Sequence, residues 1–239
     1  MSPPAEQFLT TRWTHVLAAQ GASTEAGTAL AELCAAYYTP VHAYIEKTSR
    51  DLGDARDLTQ EFFARLLAGR MLTGAERGKG SFRGYLLGAV KHFLADSRDR
   101  RNAVKRGAQH EHLPIGQESD TSPGLEISAA AAGMVDAVFD RHWGLAVLDR
   151  ALTGLAAEHK AQGKSAQFEH LKTWLTGDAC GVPQAEMAAQ LGCSEGAVKV
   201  AIHRLRKRFR DLVKAEIMQT VSTEDECREE LRYLIEVVA

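Results

Sequence analysis

Residues 182–214 constrain the fold of this chain more than any other segment. Within them, Ala188, Gly192 and Val198 follow one another at steps of four and six residues. This is the spacing of a helix-turn-helix. A small residue lets the second helix cross the first closely, a glycine permits a turn with positive φ, and an aliphatic residue anchors the second helix. The segment therefore predicts two short helices joined by a tight turn.

Two further residues indicate where these helices begin. Pro183 suits the first turn of a helix, where its missing N–H costs nothing. Ser194 is placed to cap the second helix with its side-chain oxygen. The helix-turn-helix is predicted at 183–214.

The second helix has two chemically different faces. Its inner stripe is apolar and recurs at steps of four and three residues: Val198, Ile202, Leu205, Phe209 and Leu212. Residues 196–214 contain seven Lys or Arg and one acid, and most of these cations lie on the opposite face. An apolar seam behind a cationic face suits the phosphate-lined major groove of DNA. The alternative is a solvated basic helix in a helical bundle.

The remaining chain carries helical periodicity and no strand pattern. Apolar residues recur at three- and four-residue steps, which predicts helices at 7–20, 25–47, 54–68, 82–101, 141–160, 165–176 and 223–238. No window is apolar enough to cross a membrane, and the first residues do not form a signal peptide. We expect a cytoplasmic, all-α protein.

Charge is distributed unevenly, although the formal net charge is only −2. Residues 76–106 carry nine Lys or Arg against three acids, whereas 107–140 carry six acids and no Lys or Arg. The second of these segments is rich in Pro, Gly and Ser, which favours a linker. Five parts are predicted: an N-terminal helix (1–24), a first helical domain (25–106), a flexible acidic linker (107–140), a second domain with the helix-turn-helix (141–215) and an acidic C-terminal helix (216–239).

Two segments, in this order, resemble the RNA polymerase sigma factors of the sigma-70 family, extracytoplasmic-function type. The run Asp-Ala-Arg-Asp-Leu-Thr-Gln-Glu at 54–61 and the helix at 82–101 resemble region two. The stretch AEMAAQLGCSEGAVKVAIHRLRKRFRDLV resembles region four. Together the two regions, taken as 25–106 and 182–214, cover about 115 of the 239 residues.

The resemblance implies a non-enzymatic factor that binds core RNA polymerase, recognises promoter DNA, melts it and initiates transcription, with no cofactor and no metal. It implies contacts to core polymerase from Asp54, Asp57, Gln60 and Glu61. It implies contacts to the minus-ten element from Arg83, Lys91, His92, Arg98 and Arg101. It implies contacts to the minus-thirty-five element from Ser194, Glu195, Lys199, His203, Arg204, Arg206, Lys207 and Arg210.

Three departures from the family pattern carry hypotheses of their own. Arg56 replaces an acid in the docking run, and Thr59 lies three residues on. Phosphorylation of Thr59 by a Ser/Thr kinase would restore negative charge there; the alternative is a threonine tolerated on an exposed face. His92 stands where the family commonly has Asn. The acidic helix at 222–238 either shields the cationic recognition helix or packs elsewhere on the chain.

Other functional classes find less support in the sequence. A stand-alone helix-turn-helix regulator that acts without core polymerase is the alternative function, and an anti-sigma protein is a further possible partner. Nucleases and recombinases require clustered carboxylates or a nucleophile in the first half, which the pattern does not offer. The nine histidines and four cysteines lack metal-ligand spacing.

Overall fold

The computed structural model describes residues 12–19, 24–49, 53–69, 71, 81–108, 129–176 and 184–239. Every regular element within these ranges is an α-helix, so the predicted all-α class is confirmed. The helices are α1 (Arg12–Ala19), α2 (Thr24–Thr48), α3 (Ala55–Leu67), α4 (Phe82–Ala108), α5 (Ala129–Ala161), α6 (Ser165–Leu171), α7 (Thr173–Thr176), α8 (Gln184–Leu191), α9 (Glu195–Met218) and α10 (Glu224–Val238).

The helices form two compact units. The first contains the described residues up to Ala146 together with Thr220–Ala239, and the second is Val147–Gln219. These limits differ from the predicted 141–215 domain. The acidic C-terminal helix, predicted as a separate part, belongs to the first unit. The assignment of the units to sigma regions two and four stays a prediction.

The linker predicted at 107–140 is wrong over its last part. Residues 129–140 form the beginning of α5, and both Phe139 and Asp140 are buried. The reason is local, because 129–132 is a run of four alanines, the residue with the highest helix propensity. Residues 109–128, also part of that prediction, lie outside the described residues.

Aromatic side chains fill the core of the first unit. The rings of Tyr37 and Phe82 meet edge to face with centroids 5.0 Å apart, and the indole N–H of Trp143 donates to the Tyr37 hydroxyl at 3.0 Å. At Gly144, a Cβ atom would lie only 2.7 Å from a methyl carbon of Val238. This glycine therefore lets α10 pack tightly against α5.

The start of α4 is tied to the segment that leads into α10. Ser81 caps α4 by accepting from the Gly84 N–H at 3.3 Å. The N–H of Phe82 donates to the Thr220 carbonyl at 2.7 Å. A hydrogen bond thus joins chain segments that are far apart in sequence.

Candidate nucleic-acid interface

The turn between α8 and α9 has the geometry that the spacing of Ala188 and Gly192 predicts. Gly192 has φ 63°, a conformation that side chains with a Cβ rarely adopt. The Cys193 N–H donates to the Ala188 carbonyl at 3.0 Å, which closes the end of α8. Ala188 is 6% exposed, as a small residue at a helix crossing should be. Pro183 lies outside the described residues.

Ser194 begins α9 as its N-cap. It has extended backbone angles, and its side-chain oxygen accepts from the Ala197 N–H at 3.2 Å. Glu195 follows in the first turn, where a carboxylate suits the positive end of the helix dipole. The cap fixes the residue at which the helix starts, and with it the direction of every later side chain.

The inner face of α9 is packed into the core of the second unit. Val198, Ile202 and Leu205 are buried, at 0%, 5% and 3% exposure. They belong to a cluster with five residues from α5, α6 and α8: Leu155, Phe168, Leu171, Met187 and Ala188. Phe209 and Leu212 are partly buried against the same cluster. The predicted apolar seam therefore holds the orientation of α9.

The outer face of α9 is exposed and cationic. Five of the predicted DNA-contacting side chains project from it: Lys199, His203, Arg204, Lys207 and Arg210. Within the described part of the chain, none of these five has a hydrogen bond or ion pair. The lysines and arginines among them are therefore available to a polyanion, the condition that phosphate binding requires.

Arg206 differs from these five residues. Its Nε and Nη2 atoms donate to the carbonyl of Trp174 at 3.1 and 2.9 Å. Arg206 was predicted to contact DNA; two of its donors bind the end of the α6–α7 segment, which they hold against α9. Arg206 is exposed, and its contact with DNA stays a prediction.

A neighbouring cation, Arg208, also forms an ion pair within the second unit. Its Nε donates to Glu158 of α5 at 2.9 Å, and its Nη2 donates to the same carboxylate. The hydrogen bond from Arg208 holds the pKa of Glu158 below its ordinary value. Arg150 binds Glu216 in a second α5–α9 ion pair at 2.9 Å. Neither pairing is predictable from the local sequence pattern.

Arg83, predicted to contact the minus-ten element, is mostly enclosed in an ion cluster. Its guanidinium binds Asp140 at 2.7 Å and Glu230 at 2.8 Å, and its side chain is only 15% exposed. It also lies over the rings of Trp143 and Tyr233, at 5.1 and 4.4 Å from their centroids. We therefore correct the prediction, because Arg83 is mostly enclosed by its carboxylate and ring partners in the first unit.

The cluster satisfies its own charges and polar atoms. Ser81 donates to Glu230 at 3.0 Å, and Tyr233 donates to Asp140 at 2.5 Å. Burial disfavours the charged form of Arg83, but the hydrogen bond and charge of Glu230 and the charge of Asp140 raise its pKa above the ordinary value. The arginine thus remains cationic.

The other predicted minus-ten residues lie along α4 in different states. Lys91 forms an ion pair with Asp136 of α5 at 2.7 Å. Arg98 is partly buried and donates to the backbone carbonyl of Thr48 at 2.6 Å. His92 and Arg101 are exposed. The exposed members of the set are therefore Lys91, His92 and Arg101.

The four residues predicted to contact core polymerase all lie exposed at the start and along one side of α3. Asp54 is its N-cap and accepts from the Arg56 N–H at 2.7 Å. Glu61 binds Arg65 one turn along the helix. Asp57 and Gln60 have no partner among the described residues. The helix period alone places these four side chains away from the buried stripe.

Thr59 contradicts the predicted exposed face. It is 0% exposed, its hydroxyl donates to the Ala55 carbonyl at 2.7 Å, and its oxygen lies 3.1 Å from Nδ1 of His42. The residue packs toward α2 with Phe62 and Phe63. A kinase cannot reach this hydroxyl while α3 is folded, so we withdraw the phosphorylation hypothesis.

The acidic C-terminal helix has its buried face inside the first unit. Cys227, Glu230 and Leu234 are buried there, and Thr223 with Glu226 forms a complete capping box at its start. This burial agrees with the second of the two hypotheses for the acidic helix, namely that it packs elsewhere on the chain and does not shield the recognition helix.

The geometry defines a helix-turn-helix protein with an exposed cationic second helix. Residues 178–209 match the family model described as sigma-70, region 4. The match supports a sigma-70 family member with a sigma factor-like DNA-binding role, and this family is one of transcription factors rather than enzymes. Neither the curated proteins nor the solved structures gave a match to the chain.

Two kinds of feature are absent from the described residues. None of the helices there has the length and apolarity that crossing a membrane requires. In the same ranges, His, Cys, Asp and Glu side chains do not gather in threes as metal ligands would.

Proposed function

We propose that this protein is a sigma factor of the extracytoplasmic-function type, which binds core RNA polymerase in the cytoplasm and directs it to promoters. The observation that carries the proposal is the free cationic face of α9, held outward by a buried seam, within a segment that matches sigma-70 region 4. Helices entered through such a turn dock in the major groove of duplex DNA. We assign α9 to the minus-thirty-five element.

The first unit is assigned the remaining steps. Asp54, Asp57, Gln60 and Glu61 offer an exposed, mainly acidic face to core polymerase. On α4, Lys91, His92, Arg98 and Arg101 are assigned to the minus-ten element. Lys91 would exchange Asp136 for a phosphate, since the lysine side chain is 42% exposed and therefore accessible to DNA.

Reconstituted transcription tests the proposal. The full chain is mixed with core polymerase and genomic fragments, and the transcripts are mapped. We expect initiation at a defined set of start sites, reduced at least tenfold by Lys207→Glu. The matched control is Lys160→Glu, which reverses an exposed lysine of the same unit on α5. Binding to duplex DNA without any initiation would favour the stand-alone regulator and overturn the sigma assignment.

Core binding is tested separately from DNA binding. Asp57→Lys should weaken co-purification with core polymerase, because Asp57 is exposed and free of local partners within the described ranges. Asp149→Lys, an exposed aspartate on α5, serves as the control. Equal core binding by both variants would remove α3 from the polymerase interface.

A further inference from the structure

We propose that Val200 is a specificity-determining residue of α9, which contacts the 5-methyl group of a thymine in the major groove. The proposal rests on the proposed DNA-binding function of α9 and deepens it. Val200 is 49% exposed, although the helix has a buried seam that accommodates its apolar residues.

Helix geometry places Val200 in the middle of the outer face. At 3.6 residues per turn, Gly196, Val200, His203 and Lys207 follow one line along α9. Val198, two residues before Val200, is 0% exposed and points the opposite way. The line is uncharged in its first half and cationic in its second half.

Protein stability does not explain a valine at this position. A β-branched side chain on an exposed helix position is less favourable than Lys, Arg or Glu. Neighbours at 199, 203, 204 and 207 show that the chain uses such polar residues on the same face. An apolar side chain among cations is instead suited to a surface that is apolar at one point and anionic around it.

The major groove of DNA is such a surface. Thymine presents a methyl group between rows of phosphates, and apolar side chains are the ones that recognise it. The first residues of a recognition helix contact base edges, and Val200 lies in the second turn. The cations around it would bind the flanking phosphates.

Gly196 supports the same orientation. A Cβ atom at Gly196 would meet only the Ser194 side-chain oxygen, at 3.9 Å. Neither packing nor a positive φ therefore requires glycine there. Without a side chain, the backbone one turn before Val200 is able to approach the base edges closely.

The test combines a base analogue with a variant. Duplexes are selected from a random library by the full chain, alone and with core polymerase, and each thymine is then replaced by deoxyuridine, which lacks only the methyl group. We expect one or two positions at which the replacement weakens binding about fourfold, the factor that burial of one methyl group provides.

With Val200→Ala, the loss at those positions should shrink to less than about twofold, because the methyl group has lost its partner. Val238→Ala, an exposed valine on α10, should leave the full fourfold loss. Equal sensitivity in wild type and Val200→Ala, or no sensitive position, would overturn this inference alone. Failure to select any duplex, with or without core polymerase, would overturn the proposed function as well.

Discussion

Arg83 and Glu230 are joined by two hydrogen bonds, from Nε to Oε2 at 2.8 Å and from Nη2 to Oε1 at 2.9 Å, although 147 residues separate them in sequence. A bidentate pair of this kind has a fixed geometry. Asp140 takes a third donor of the same guanidinium at 2.7 Å. Arg83 therefore holds three helices together in the first unit: α4, on which it lies, α5 through Asp140, and α10 through Glu230.

We predict that Arg83→Met destabilises the protein by about 3–5 kcal/mol, because it leaves two buried carboxylates without their cation. Glu230→Gln should cost clearly less, since Asp140 still neutralises Arg83. Both free energies of unfolding are measured by urea denaturation of the full chain. Arg228→Met is the control, because Arg228 pairs with Asp225 on the surface of α10. A cost for Arg83→Met no larger than that of the control would contradict the role of the cluster.

The burial of Thr59 leads to a second prediction. Thr59→Glu should lower the free energy of unfolding by about 3 kcal/mol or more, because it places an unpaired carboxylate among α2 and α3 side chains. Thr28→Glu, at an exposed threonine of α2, should change it little. A Thr59→Glu protein that is as stable as wild type and binds core polymerase more tightly would restore the phosphorylation hypothesis.

The local pattern of the sequence predicted helices and faces well. The start of α9 follows from the cap at Ser194 and the end of α8 from Gly192, signals that act within one or two turns, whereas α9 ends at Met218, beyond the predicted 214. The seam of Val198, Ile202 and Leu205 follows from the helix period. These features depend on residues close together in sequence, and for that reason the chain reveals them without coordinates.

The partners of individual charges were not predictable in the same way. Nothing in the sequence near Arg83 distinguishes it from Arg101, yet one is mostly enclosed and the other is exposed. The low exposure of Arg83 depends on Asp140 and Glu230, and only the tertiary fold brings these two carboxylates close to it. The position of Thr59 follows from which side of α3 packs on α2, and that side buries Thr59 together with Phe62 and Phe63.

The difference between free and paired cations on α9 gives a prediction for salt dependence. Lys207→Ala should lower the slope of log affinity against log salt by about 1, the contribution of one phosphate contact. Arg208→Ala should change the slope less, since Glu158 already binds that arginine. Binding of a selected duplex is measured at several salt concentrations. Equal changes for both variants would show that the Glu158 pair does not restrain Arg208.

Lys199 and His203 should behave differently from Lys207 if they lie over base edges. Alanine at either position should change which duplexes are selected, whereas Lys207→Ala should weaken binding to all of them alike. Selection from a random library with each variant measures this. Unchanged preferences for Lys199→Ala and His203→Ala would mean that the base-contacting part of α9 lies elsewhere.

The cysteines offer a direct probe of the helix-turn-helix in the full chain. Burial raises the pKa of the Cys34 thiol to about 12, so it remains protonated and unreactive at pH 8. Cys227 is buried as well, whereas Cys193 is exposed in the turn before α9. In a Cys180→Ser background, iodoacetamide should modify Cys193 first, and a selected duplex should slow that modification severalfold. Modification of Cys193 at the same rate with and without bound duplex would place the DNA away from the turn. The control is Cys193→Ser, which should abolish the fast modification and so identify Cys193 as the labelled residue.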